Sequence, residues 1–199
     1  YWIALNAQLG PDLMSGDAVA TLCSGSASNG LFNQTTVIHG PSNTTVHAQD
    51  CGEIPPFVVI YKAFGSASEP DENGDFSATY TIRVINSGGS TGTYKLVDHP
   101  KPDTNVTVNG ASVTGEETGS FSGPGPYEIV TNKAIAAGAT HVYTNEVSLT
   151  LQGQVLSGAV SVGACQAGSS GYDAQNGLFN EVTLTYGTND TTVTTNACG

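Results

Sequence analysis

Apolar and polar residues alternate through most of this chain. Between 140 and 151 the apolar residues Val147, Leu149 and Leu151 recur every second position, the period of a strand with one face buried. Over 76–85, Phe76, Ala78, Tyr80, Ile82 and Val84 share one face in the same way. Phe57-Val58-Val59-Ile60-Tyr61 is a continuous β-branched and aromatic run after Pro55-Pro56, and it reads as a buried strand. Further strands are predicted at 94–97, 105–108, 127–130 and 182–186, and 191–193 returns on the last of these around a turn at 187–190. Asn86-Ser87-Gly88-Gly89 reads as a turn. Asn109-Gly110 is a two-residue hairpin signal, with 111–113 as the returning strand. Residues 1–9 alternate loosely and predict a strand, and 115–126 reads as a loop. No segment keeps helical spacing over two turns; 133–139 comes nearest and is short and glycine-terminated. Strands at about ten-residue spacing with polar turns predict an all-β, immunoglobulin-like antiparallel sandwich.

The pattern occurs more than once. Gly30-Leu31-Phe32-Asn33 returns as Gly177-Leu178-Phe179-Asn180, an offset of 177 less 30, or 147 residues. Cys51 and Cys198 keep that offset, and each is followed by glycine. Cys23 and Cys165 differ by 165 less 23, or 142, so the second copy carries about five extra residues around 169–175. At that smaller offset Tyr1 meets Tyr143, Leu9 meets Leu151 and Ser15-Gly16 meets Ser157-Gly158. Residues 1–53 therefore correspond to the last third of a repeat, and 54–199 to one whole repeat. The first segment reads as the C-terminal part of a preceding repeat, incomplete alone.

Four cysteines permit three pairings, and the repeat selects Cys23–Cys51 and Cys165–Cys198. Zinc ligation wants close ligand pairs, and no CxxC is present. Disulfides imply an oxidising, extracytoplasmic compartment. A net charge of −12 with five Lys plus Arg disfavours nucleic acid and anionic membrane as partners. No stretch approaches the roughly 18 apolar residues of a membrane span.

Tyr80-Thr81-Ile82-Arg83-Val84-Ile85-Asn86-Ser87-Gly88 is similar to the Y-x-I-x-V-x-N-x-G strand of the bacterial surface repeats called DUF11. Val97-Asp98 followed by Pro100 resembles their D-x-x-P strand end. The Gly-Leu-Phe-Asn motif and the closing Ala197-Cys198-Gly199 resemble a disulfide-bearing subset. The resemblance implies an immunoglobulin-like sandwich, tandem arrays and a cell-surface or extracellular place, and it implies no catalytic residues. A module of that family would begin near Glu53 rather than at Tyr1.

Candidate chemistry is sparse. Asp71, Asn73 and Asp75 stand at alternate positions from which a turn can offer oxygens to Ca²⁺, although an EF-hand fails because position twelve is Ile82. No other cofactor is expected. His39, His47, His99 and His141 match no metal motif and read as surface histidines, the alternative being that His39 and His47 face each other across a hairpin. No G-x-S-x-G elbow or phosphate-cradling loop is present. Sequons begin at Asn33, Asn43, Asn105 and Asn189, and those at Asn43 and Asn189 fall at matching hairpin tips. Asn33 shares its motif with Asn180 and reads better as a buried hydrogen-bonding side chain.

The expected role is structural. An incomplete sandwich exposes strand edges and an apolar face, so it needs a partner. A neighbouring repeat or subunit supplying the missing strands head to tail gives an extracellular filament or stalk, with Tyr1, Trp2, Leu31 and Phe32 as candidate contact residues. The alternative is an adhesin module that binds a glycan or protein at loop tips, for which 115–126 is the candidate loop.

Overall fold

A computed structural model of the protein describes residues 4–16, 20, 30–168, 171–172 and 175–199. The chain forms two compact units. The first comprises 1–59, 85–92 and 135–139; the second comprises 60–84, 93–134 and 140–199.

The elements in chain order are α1 (Pro11–Ser15), β1 (Leu31–His39), β2 (Thr44–Gly52), β3 (Val58–Ala67), β4 (Asp75–Asn86), β5 (Gly92–Pro100), β6 (Val106–Gly115) and β7 (Gly119–Ser122). They continue with β8 (Tyr127–Ile135), β9 (Thr140–Leu151), α2 (Gly153–Leu156), β10 (Ala167–Gly168), β11 (Gly171–Tyr172), β12 (Asn180–Tyr186) and β13 (Thr191–Ala197).

The second unit is an immunoglobulin-like sandwich of antiparallel sheets. One sheet has the order β13-β12-β5-β8 and the other β3-β4-β9-β6-β7. Alternation builds it: Ala78, Tyr80, Ile82 and Val84 of β4 are all buried, as are Tyr143, Val147 and Leu149 of β9. Ala78, Tyr80, Val106, Ala111, Tyr127, Val147, Leu149 and Ala197 form one core cluster. Phe64 meets Tyr80 edge-on at 5.6 Å, and Phe121 stacks on Tyr127 at 5.2 Å. The Cys165–Cys198 disulfide closes the C-terminal part, with the two residues 33 apart in sequence.

In the first unit, β1 and β2 make a two-stranded antiparallel hairpin. Asn86 ties this unit's chain segments together. Its Nδ2 donates to the carbonyls of Ser90 (2.8 Å), Ile135 and Ala136 (3.2 Å each), and its Oδ1 accepts the N–H of Gly88 and Phe57. The bend that follows is tight: a Cβ on Gly88 would stand 2.2 Å from the Pro55 carbonyl oxygen.

Several expectations need correction. Asn109-Gly110 is not a hairpin turn; β6 runs straight through it, with a bulge between Val108 and Gly110 opposite β9. Gly110 is required there for space, because a Cβ would lie 2.4 Å from the Phe121 carbonyl oxygen of β7. The 115–126 loop is shorter than expected, since β7 pairs with β6 from Gly119 opposite Val113 to Ser122 opposite Gly110. The helical candidate at 133–139 is the end of β8 and a turn. Residues 4–10 form no strand, although the matching 146–151 lie in β9. β9 has β4 and β6 for neighbours, and alternation yields a strand only where a ladder partner exists. The repeat resumes just after: α1 and α2 match at the 142 offset, and Gly16 and Gly158 share φ values of 76° and 73°.

Gly110→Ala is expected to destabilise the chain by about 1–3 kcal/mol, because the new methyl group meets backbone rather than a side chain that could turn away. Urea unfolding followed by circular dichroism measures it, and a change under 0.5 kcal/mol would show that β7 yields.

Candidate interface and buried polar cluster

The two hairpins are copies of one another in register. In β1–β2, Asn33 stands opposite Asp50 and His39 opposite Thr44; in β12–β13, Asn180 stands opposite Ala197 and Tyr186 opposite Thr191. Each pair differs from its counterpart by the same 147 residues. The turns match as well, with φ of 74° and 49° at Gly40 and Asn43 against 75° and 50° at Gly187 and Asp190.

Their surroundings differ. β12 has β13 on one side and β5 on the other, with Val182 opposite Asp98 and Leu184 opposite Leu96. Its inward residues Asn180, Val182 and Leu184 are completely buried. β1 is paired with β2 alone, and among the described residues no third strand joins that sheet. The matching residues Asn33, Thr35 and Val37 are exposed. Val37 is 53% exposed, Ile38 64% and Val46 50%. Among the described residues the hairpin therefore presents apolar side chains and, on β1, the strand edge that its counterpart β12 gives to β5.

The expected contact residues fall partly here. Leu31 is exposed and Phe32 half-buried at the start of β1; Tyr1 and Trp2 lie outside the described residues. Leu31 also lines an apolar cavity of about 390 Å³ with Leu9, Leu13, Ile54 and Phe57. Cys51 is disulfide-bonded, and Cys23 lies outside the described residues.

Asp71 and Asn73 sit in the turn before β4, and Asp75 is the first residue of that strand. The Asp71 carboxylate accepts the backbone N–H of Asn73 (2.8 Å) and of Asp75 (2.9 Å). Those bonds, that of Asp75 first, hold its pKa below the ordinary carboxylate value. Asp75 in turn accepts the Thr150 hydroxyl. Among the described residues no three His, Cys, Asp or Glu side chains converge as a metal site.

Of the sequons, Asn43 and Asn189 lie exposed in the matching turns. Asn105 is half-buried and its Nδ2 donates to Asp103 Oδ1 (3.0 Å). Asn33 is exposed, so the buried role expected for it belongs only to its counterpart Asn180. His39 and His47 do not face each other: His39 pairs with Thr44, and His47 pairs with Thr36, whose hydroxyl is 3.0 Å from its Nδ1.

The most unusual chemistry in the second unit is a group that sequence reasoning missed. Lys62 of β3 and Asp98 of β5 form an ion pair with both side chains fully buried. Asp98 Oδ2 accepts Nδ2 of Asn145 of β9 (2.7 Å) and Nδ2 of Asn180 of β12 (3.0 Å). Lys62 Nζ also donates to the Glu181 carbonyl (3.4 Å) and lies 5.1 Å from the centre of the Tyr80 ring. Burial pushes the Lys62 pKa down, opposed by Asp98. Oδ1 of Asn145 and Oδ1 of Asn180 are buried with no hydrogen-bond partner. The signal was available: Val58-Ile60-Lys62, Tyr94-Leu96-Asp98 and Tyr143-Asn145-Val147 each place a polar residue on the inward step of a strand.

Leu184→Ala is expected to cost about 2–5 kcal/mol of stability, because it empties a fully buried site. Val37→Ala, at the same position of the exposed copy, should stay within about 0.5 kcal/mol in dilute chain. Denaturant titration of both variants tests this, and equal losses would mean that β1 is already covered. Comparison with protein-family models and with curated proteins gave no match, so function is argued from this geometry.

Proposed function

We propose that this chain is an extracellular structural repeat, part of a surface filament or stalk in which a neighbouring repeat completes the sandwich begun by the β1–β2 hairpin. One observation carries the reading. The β1–β2 hairpin keeps the register of β12–β13, yet among the described residues no strand pairs with β1 as β5 pairs with β12, where Asn180, Val182 and Leu184 are buried.

The missing partner is specified by the copy that has one. It is a strand of β5 type, carrying Gly-Thr-Tyr-Lys-Leu-Val-Asp-His-Pro or a close relative, laid antiparallel on β1. By the register of β12, its leucine falls opposite Val37 and its aspartate opposite Thr35. Main-chain hydrogen bonds would supply affinity and the alternate side chains specificity, as in other strand additions. A contact between one end of a repeat and the complementary part of the next does not close on itself, so it propagates.

The Cys165–Cys198 disulfide supports an oxidising compartment outside the cytoplasm. Among the described residues no helix is long and apolar enough to cross a membrane. The DUF11-like motifs of β4 and β5 favour the same cell-surface setting. The reading gives the chain no catalytic task.

A synthetic peptide of residues 92–100 added to the intact chain tests the proposal. Hydrogen exchange should slow at β1 amides, a scrambled peptide should have no effect, and Thr35→Pro should abolish the response. Unchanged exchange at millimolar peptide, with no self-association of the chain, would sink the reading.

A further inference from the structure

Four polar side chains meet inside the second unit, and they come from both sheets. Lys62 and Asn145 stand on strands of the five-stranded sheet, Asp98 and Asn180 on strands of the four-stranded sheet. As a device for stability alone the group is poor. A dry lysine–aspartate pair loses the hydration of two charges, and its attraction repays this only with good geometry and full satisfaction of the remaining groups. Here two buried amide oxygens stay unpartnered. Buried polar atoms nearly always have partners, so two orphans beside one ion pair call for a chemical reason.

The arrangement supplies one. An amine, a carboxyl group and a carboxamide are held together away from water. Asp98 touches the nucleophile through Oδ1 and the amide nitrogens through Oδ2, so it stands between attacking and leaving groups. We infer that Lys62 and Asn180 become joined by an intramolecular isopeptide bond, with Asp98 as the catalytic proton carrier. Asn180 is the acceptor rather than Asn145 because Lys62 Nζ also donates to the carbonyl of Glu181, which places the amine beside the 180–181 segment of β12.

The step balances without any oxidant or co-reactant. Burial favours transfer of a proton from the Lys62 ammonium to the Asp98 carboxylate, leaving a neutral amine and a carboxylic acid. The Nζ lone pair attacks Cγ of Asn180, and the carbonyl π pair moves onto Oδ1. Asp98 gives its proton to Nδ2 and takes one from Nζ. The Cγ–Nδ2 bond breaks, and ammonia leaves. The products are a secondary amide, ammonia and a neutral Asp98. The Asp98 O–H is then free to donate to the amide oxygen, which removes one of the two orphans. Proximity in a dry site is what makes such an attack on an unactivated amide feasible.

The bond would tie β3 of one sheet to β12 of the other. This inference does not depend on whether the β1 edge is covered.

The experiment is the intact mass of the full native chain, followed by fragmentation of its proteolytic peptides. The expected result is a chain lighter than its disulfide-bonded sequence by one ammonia, with a branched peptide joining Lys62 to Asn180. Asp98→Asn, checked for folding by circular dichroism, should show the mass of its own disulfide-bonded sequence with no ammonia lost. A wild-type mass with nothing lost overturns the inference whether or not any variant folds. Loss of water with a Lys62–Asp98 link, or a branch at Asn145, overturns the assignment of acceptor and proton carrier.

Discussion

A strand has backbone donors and acceptors along both edges, and whether each edge finds a partner decides what the rest of this molecule can be. β12 has both edges filled, by β13 and by β5, and its inward side chains are fully buried. β1 folds to the same hairpin with the same register and turn angles, but among the described residues its sheet holds β2 and no third strand. Identical local geometry thus coexists with opposite exposure. Hairpin shape is set by the turn and by cross-strand pairs, whereas burial is set by what lies beyond the hairpin.

The same contrast explains the polar interior. Tyr94, Leu96 and Asp98 alternate inward on β5, and Asn180, Val182 and Leu184 do so on β12. Where those faces meet β3 and β9, Lys62 and Asn145 fill the remaining space with polar atoms rather than hydrocarbon. Asn33 holds the position of Asn180 in the first hairpin and has no such company. A polar side chain that is costly in one copy is merely solvated in the other, because only the second copy closes over it.

Much of the sandwich was legible from two-residue alternation. The strands at 76–85 and 140–151 and the hairpin at 182–193 announced themselves because one face of each is buried and the other is wet. Alternation failed where space or partnership decided. Asn109-Gly110 has the residues of a turn, yet Gly110 is there because β7 passes too close for a side chain. β7 itself, Gly-Ser-Phe-Ser, has one large apolar residue and gave almost no pattern. Residues 4–10 had the pattern, yet among the described residues no strand pairs with them. The Lys62 group was overlooked because 57–61 was read as one continuous apolar run. Reading it as an alternation would have carried the inward face one step further, to a lysine.

The Cys165–Cys198 disulfide encloses the whole of β12, its turn and β13. Tension applied along the chain is carried across that sulfur link, so the enclosed hairpin cannot be paid out as slack. At roughly 3.4 Å per extended residue, the enclosed 33-residue separation withholds about 110 Å of contour length. The hairpin whose strand β12 pairs with β5 is therefore not lengthened by tension on the chain to either side of the link.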